Sequence, residues 1–195
     1  MLGARGESDC ILGGDTGPGN MLIDTWTQRI TGALYDKNGG WAATGRVNEA
    51  LLDELLREPY FERPIPKSTG RELFSPAWLD AHLKGREGLR PENVARTLVE
   101  LTARTVTDAV GRFAPDAREL YVCGGGVYNK TLMEAIAARF PGRTSSTEAL
   151  GVPPMEVEAA AFAWLAARFL DRLPGNLPAV TRATGLRILG ALYPH

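Results

Sequence analysis

The sequence predicts an α/β fold, and three observations carry that reading. Short apolar runs, Leu120-Tyr121-Val122-Cys123 foremost, pass directly into glycine turns, and each turn opens a segment with apolar residues at helical spacing. The longest periodic segment, Pro91 to Phe113, makes about six helical turns with one broad apolar face. Alternation of strand, glycine turn and helix is the pattern of α/β domains. The strands are too few for a complete sheet, so the expected architecture is helix-rich with a small mixed sheet.

Cys10-Ile11-Leu12 is the first strand candidate. The turn Gly13 to Asn20 follows, and Asn20 is placed to cap a helix carrying Leu22, Ile23, Trp26 and Ile30, with Gly32 as its stop. A second helix covers about Asn48 to Leu56, buried through Val47, Leu51, Leu52, Leu55 and Leu56. Pro59, Pro64 and Pro66 impose an extended loop. Ser75-Pro76 pairs a cap with a proline in the first helical position and opens a short helix through Trp78, Leu79 and Leu83. Leu120 to Cys123 has no polar face and reads as a central strand with Cys123 an inert buried thiol. Asn129 caps the next helix, which buries Leu132, Met133, Ile136 and Phe140. A short strand near Arg143 to Ser145 precedes Pro153-Pro154 and an alanine-rich helix to about Asp171. Trp78 and Trp164 are assigned to the core, His82 to a helix surface, and Leu173 to His195 to loop.

Composition narrows the function. The 195 residues are 44% hydrophobic, and 22 Lys+Arg against 23 Asp+Glu leave a formal charge of -1, which offers no basic field to nucleic acid. No apolar run approaches the roughly 18 to 20 residues of a membrane span, and Met1 to Asp9 lacks the apolar region of a secretory signal. Two cysteines form no disulfide framework, which points to a reducing cytoplasm. Two histidines, His82 and His195, leave little material for a histidine metal site or a Ser-His-Asp triad. Glycine, at 22 residues, exceeds its ordinary ~7% and is clustered, as in sites built from backbone.

Two glycine clusters sit where a strand meets a helix. In Asp15-Thr16-Gly17-Pro18-Gly19-Asn20, small residues allow close backbone approach to a phosphate, and Asp15 is placed to take a proton or hold magnesium. The same residues also suit an ordinary tight turn whose Asp bonds its own loop. In Cys123-Gly124-Gly125-Gly126, with Asn129 beyond, bare backbone suits a flat ligand, or close helix–strand packing. Neither cluster has the G-x-G-x-x-G spacing of a Rossmann-type domain. Lys67-Ser68-Thr69-Gly70-Arg71-Glu72 could meet a phosphate or sugar acid, or be a solvated loop with internal ion pairs. Glu158 either faces a ligand or complements its helix dipole.

Four segments occur in a telling order. They are Asp15-Thr16-Gly17-Pro18-Gly19-Asn20-Met21-Leu22-Ile23-Asp24, Pro66 to Glu72, Val122 to Gly126 with Asn129, and Glu158 to Ala166. Together they resemble the C-terminal half of the anhydro-N-acetylmuramic acid kinase family, from about Gly14 onward. That resemblance implies one incomplete, C-terminal lobe of the two-lobe actin/hexokinase/Hsp70 ATPase fold over residues 10–195, with residues 1–9 a non-homologous segment. It further implies ATP and Mg2+, hydrolysis of the 1,6-anhydro bond, phosphorylation at O6, and a cytoplasmic role in peptidoglycan recycling. Asp15 matches the family's catalytic Asp, which activates water at the anomeric carbon, and through ATP it would also touch the Mg2+. Thr16, Gly17, Gly19 and Asn20 match its phosphate-side loop, and Gly124, Gly125 and Gly126 the glycine run beside the nucleotide, with Asn129 following. Lys67, Ser68, Thr69, Arg71 and Glu158 match motif positions of substrate-contacting or structural role.

The family's G-T-S-x-D-G phosphate loop, its G-D-F-R-x-x-D and G-A-P-L-V-P segments and its N-x-G-G-x-A-N-L hairpin have no counterpart here, and Met155 stands where the family more often has aspartate. The expectation is therefore one lobe of a kinase, inactive alone, whose partners are the sugar, ATP and a separately encoded N-terminal lobe, with a homodimer also open. The competing expectation is an inactive lobe acting as a nucleotide- or partner-binding module.

Overall fold

A computed structural model describes residues 11–193. The helices are α1 (Met21–Thr31), α2 (Glu49–Leu55), α3 (Pro76–Leu83), α4 (Pro91–Phe113), α5 (Lys130–Arg139), α6 (Val157–Leu170) and α7 (Pro178–Thr181). Strands β1 (Glu119–Val122) and β2 (Arg143–Ser146) flank α5 in sequence and pair in parallel, with Glu119 opposite Arg143 and Val122 opposite Ser146. The order β1-α5-β2 is thus a single crossover unit.

Local chemistry explains the helix ends. Asn48, Ser75 and Asn129 each accept a hydrogen bond from a backbone N–H two or three residues into their helix (Leu51, Trp78 and Leu132), as expected of caps. Gly32 closes α1 in the left-handed conformation at φ 76°, which a residue without Cβ adopts freely. Asn20 departs from expectation: it precedes α1 with helical φ/ψ and makes no side-chain cap bond. Its side chain instead lies beside Gly126 in the second glycine cluster.

The long helix α4 is the spine. Its apolar face, through Val94, Leu98 and Leu101, packs against α1, α2, α5 and the turn at residues 42–44, so helices rather than a sheet cover it. Leu22, Ile23, Leu51, Leu52, Leu55 and Leu79 complete this core. Beside it, Tyr60, Phe61, Phe74 and Trp78 form a chain of edge-on and stacked rings between the proline loop and α3.

Several sequence expectations are corrected. Cys10 lies outside the described residues, and Ile11 and Leu12 have no regular structure, so that strand is not seen. The sheet among the described residues is parallel rather than mixed, and β1 is half-exposed rather than central. Cys123 is an exposed thiol. Trp164 is 53% exposed and no core residue, and Ile30 also faces outward. His82 is half-buried, its ring 4.2 Å from that of Trp78, which packs against the core rather than within it. The C-terminal stretch holds the short helix α7, whose Val180 packs on Gly13.

Candidate functional site

Asp15 is held from four directions. Its N–H donates to the Lys67 carbonyl at 2.9 Å, and its own carbonyl accepts from the Tyr60 hydroxyl at 2.8 Å. Its carboxylate Oδ2 accepts from the Ser68 hydroxyl at 3.0 Å and the Thr69 N–H at 2.9 Å. Among the described residues no hydrogen bond engages Oδ1. The ordinary-turn reading, in which Asp15 would bond its own loop, does not describe this geometry: the donors come from a segment more than fifty residues away. One oxygen is fixed and the other presented.

Lys67 anchors that segment. Its ammonium donates to the carbonyls of Tyr60 and Phe61 at 3.0 and 2.9 Å and lies 4.6 Å from the centre of the Tyr60 ring. Burial, then the Arg112 charge, lowers its pKa from the usual lysine value. Tyr60 is itself 1% exposed and T-stacked on Phe74, so the Asp15 loop is tied to the aromatic core. Asp15 opens onto a cavity of about 830 Å³ lined also by Arg63, Lys67, Ser68 and Arg182. The carboxylate therefore faces a basic surround, suited to an anionic ligand.

The second cluster lines a different cavity, of about 520 Å³. Gly125, Tyr128 and Asn129 meet Asn20, Asp24 and Asp36 there. Gly124 has φ 78°, a left-handed value that favours glycine, and its N–H donates to the Pro154 carbonyl at 2.9 Å. A Cβ on Gly126 would come to 3.1 Å from Asn20 Oδ1, whereas one on Gly125 would meet nothing. Burial, and then the Asp36 charge, raises the Asp24 carboxyl above its ordinary pKa.

The two glycine clusters are thus neighbours joined through Asn20, while Asp15 lines the other cavity. Gly17 lies against α4, where a Cβ would be 2.8 Å from Thr105 Oγ1. Gly19 is held through its carbonyl by Thr102 at 2.7 Å, and Thr16 borders the far end of α4. Arg71 and Glu158 are exposed and line neither cavity. No group of three His, Cys, Asp or Glu side chains suited to a metal exists among the described residues. Asp15, beside Lys67 and Arg63, is not a self-sufficient magnesium site.

Asp24, Asp36 and Arg182 line these cavities, and buried Tyr60 holds the Asp15 loop from beneath; sequence reasoning misses these roles. Tyr60 carries one signal, an aromatic set among prolines in a loop, where only a partner of its hydroxyl would justify full burial. Removing the Ser68 hydroxyl tests the clamp. In an assembled, active enzyme, Ser68→Ala is expected to lower kcat about tenfold, the scale of a hydrogen bond to a charged group, while KM moves less than about twofold. Ser68→Thr should restore the rate.

A fixed carboxylate beside glycine loops in a helix-rich α/β frame is consistent with part of a sugar-kinase fold. The model of the anhydro-N-acetylmuramic acid kinase family matches residues 7–195. The chain belongs to that family. It is 54% identical over 185 residues to an anhydro-N-acetylmuramic acid kinase of Nitrosomonas europaea, covering 94% of this chain and 50% of the relative. The corresponding protein of Burkholderia mallei is 51% identical over 202 residues, 99% of this chain and 52% of the relative. That of Burkholderia thailandensis is 52% identical over 194 residues, with 97% and 50% covered. The chain therefore spans about half the length of the curated relatives it matches. No helix among the described residues is long and apolar enough to cross a membrane.

Proposed function

We propose that this chain supplies the water-activating half of an ATP-dependent anhydro-N-acetylmuramic acid kinase, a cytoplasmic enzyme of peptidoglycan recycling. The observation that carries the reading is the clamped Asp15 carboxylate, with one oxygen held by Ser68 and Thr69. Residues 10–195 act as one lobe, and the second lobe is a separate polypeptide or domain. Water attacks C1 of the 1,6-anhydro sugar, and Asp15 takes the proton through Oδ1. The C1–O6 bond breaks and its electron pair remains on O6. O6 then attacks the γ-phosphorus of ATP, and ADP leaves. General-base help of this kind is worth about 100- to 10,000-fold. Lys67 stays engaged with two carbonyls and holds the loop, leaving Arg63 and Arg182 to meet the anionic groups.

In this reading Gly124 to Gly126 lie beside the nucleotide, with Asn20 and Asn129 at their edge. Magnesium enters with the triphosphate. Gly125→Val is expected to weaken ATP binding to the assembled enzyme at least tenfold by calorimetry. Its thermal midpoint should stay nearly unchanged, because a Cβ at this position meets nothing within 4 Å.

The deciding experiment is a coupled ADP-release assay on 1,6-anhydro-N-acetylmuramate. The chain alone should show no turnover, since phosphoryl transfer depends on surrounding the transferred group with positioned charge. Addition of the complementary half should bring turnover into the ordinary range, roughly 1 to 1,000 per second. A stable complex that leaves ATP and sugar untouched would overturn the proposal.

A further inference from the structure

No regular element carries Asp15. Residues 11–16 are neither helix nor strand, and Asp15 itself is exposed. A carboxylate that must meet a water molecule at a defined point then depends on the bonds around it, since a misplacement of about 1 Å can cost about a hundredfold in rate. Among the described residues, the hydrogen bonds of Asp15 all come from residues 60–69. The Tyr60 hydroxyl bonds its carbonyl, the Lys67 carbonyl its N–H, and Ser68 and Thr69 its carboxylate. That segment is itself loop beyond the single turn Pro59–Glu62, so its stiffness needs a source of its own.

Every polar atom of Tyr60 is engaged. Its N–H donates to Glu58 Oε1 at 3.1 Å, its carbonyl accepts from Lys67 Nζ, and its hydroxyl donates to the Asp15 carbonyl. Its buried ring stands edge-on to that of Phe74, with centres 5.9 Å apart. A tyrosine so deep needs a partner for its hydroxyl where phenylalanine would need none, and the partner here is the backbone of the acid. Burial, then the Asp15 charge, raises the phenol above its ordinary pKa, so it remains a donor at neutral pH. Glu58 extends the connection outward. Its other oxygen, Oε2, accepts from the Trp78 indole Nε1 at 3.0 Å, so one half-buried carboxylate ties the turn to α3. A continuous support therefore runs from α3 through Glu58 and Tyr60 to the main chain of Asp15.

We propose that Tyr60 is a positioning residue for the Asp15 carboxylate, and that Glu58, by joining the Tyr60 N–H to the Trp78 indole, fixes where Tyr60 stands. The proposal rests on the role given to Asp15 above and names the residues that aim it. Ser68 and Thr69 fix the carboxylate relative to its loop. Tyr60 fixes that loop relative to the core, which is the relation that carries to the rest of the enzyme. Tyr60→Phe removes the hydroxyl and keeps the ring, so the core packing survives while the Asp15 backbone loses its hold. Glu58→Ala acts through Tyr60 and adds little once the hydroxyl is gone.

The test has one arm without catalysis. In the full chain alone, Tyr60→Phe should speed amide hydrogen exchange of Asp15 and Thr69 at least tenfold by NMR, with the amides of α4 unchanged. In the enzyme assembled with the complementary half, it should lower kcat about tenfold and move KM for sugar and ATP less than about twofold. A merely structural role would not give the next result. In an Asp15→Asn background, Tyr60→Phe should change the residual rate less than about twofold, because the hydroxyl works through the carboxylate. Glu58→Ala should lower kcat about threefold in the parent and leave Tyr60→Phe no slower. Glu58→Gln, which keeps an acceptor for the Tyr60 N–H, should recover most of the rate. Parent-like exchange at Asp15 in the Tyr60→Phe chain, or an equal loss of rate with and without the Asp15 carboxylate, overturns the proposal. The two readings fail separately. An assembled enzyme that never turns over removes the kinase reading, while faster exchange at Asp15 still supports the Tyr60 brace. An enzyme that keeps the parent rate with Tyr60→Phe removes the positioning role and leaves the kinase reading standing.

Discussion

Asp15→Asn is expected to reduce turnover of the assembled enzyme by about 100- to 10,000-fold, measured by ADP release at saturating sugar and ATP. Asparagine is close to isosteric, and its amide oxygen still accepts from Ser68 and from the Thr69 N–H, so the loop should keep its shape. What it loses is the second carboxylate oxygen, and with it a place for the proton of the attacking water. ATP affinity should not follow, because the Gly125 cavity is separate from the one that Asp15 faces. Retention of more than a tenth of the rate would make Asp15 a structural residue of its loop.

Gly39→Ala should lower stability by about 2 to 4 kcal/mol, on two counts. Gly39 has φ 68°, and a non-glycine residue there is strained by about 1 to 2 kcal/mol. The new Cβ would also collide with Asn129 Oδ1 and lie 2.7 Å from Thr131 Cβ. Those two residues hold the start of α5: Asn129 accepts from the Leu132 N–H, and Thr131 donates to the Gly39 carbonyl at 2.7 Å. Losing the cap adds about 1 kcal/mol. Urea denaturation should therefore report a loss of about 2 to 4 kcal/mol, with equal slope. The adjacent Gly40→Ala is the control. Its φ is -67° and its Cβ would find no atom nearer than 3.4 Å, so its midpoint should barely move.

These variants probe contacts of different legibility. The span of α4 was readable because proline opens it and its apolar period runs unbroken to Phe113. The caps Asn48, Ser75 and Asn129 announce themselves locally, since donor and acceptor lie within three residues. Asn20 carries the same signal and fails it, because a distant glycine turn at Gly126 takes up its side chain. The Lys67-to-Glu72 segment was visible as a polar cluster, but its partner was not. The contact of Ser68 and Thr69 with Asp15 bridges more than fifty residues, and no periodicity encodes it. Trp164 and Cys123 misled for another reason. Apolar character records a residue's preference for burial, and the described residues bury no residue of α6 and leave Cys123 exposed.

The threonines of α4 give that spine a property its leucines cannot. Apolar packing tolerates small slides of one helix along another, because dispersion contacts exchange for similar ones. Hydroxyl contacts do not exchange. Thr97 accepts from the Asn48 N–H at 2.9 Å, and Thr102 donates to the Gly19 carbonyl at 2.7 Å. Between them Glu100 pairs with Arg139 of α5. Each buried hydroxyl stranded by a slip would cost about 1 to 3 kcal/mol. The helix is thereby indexed like a notched rod: α2, the glycine turn and α5 engage it at separate teeth between Thr97 and Thr102.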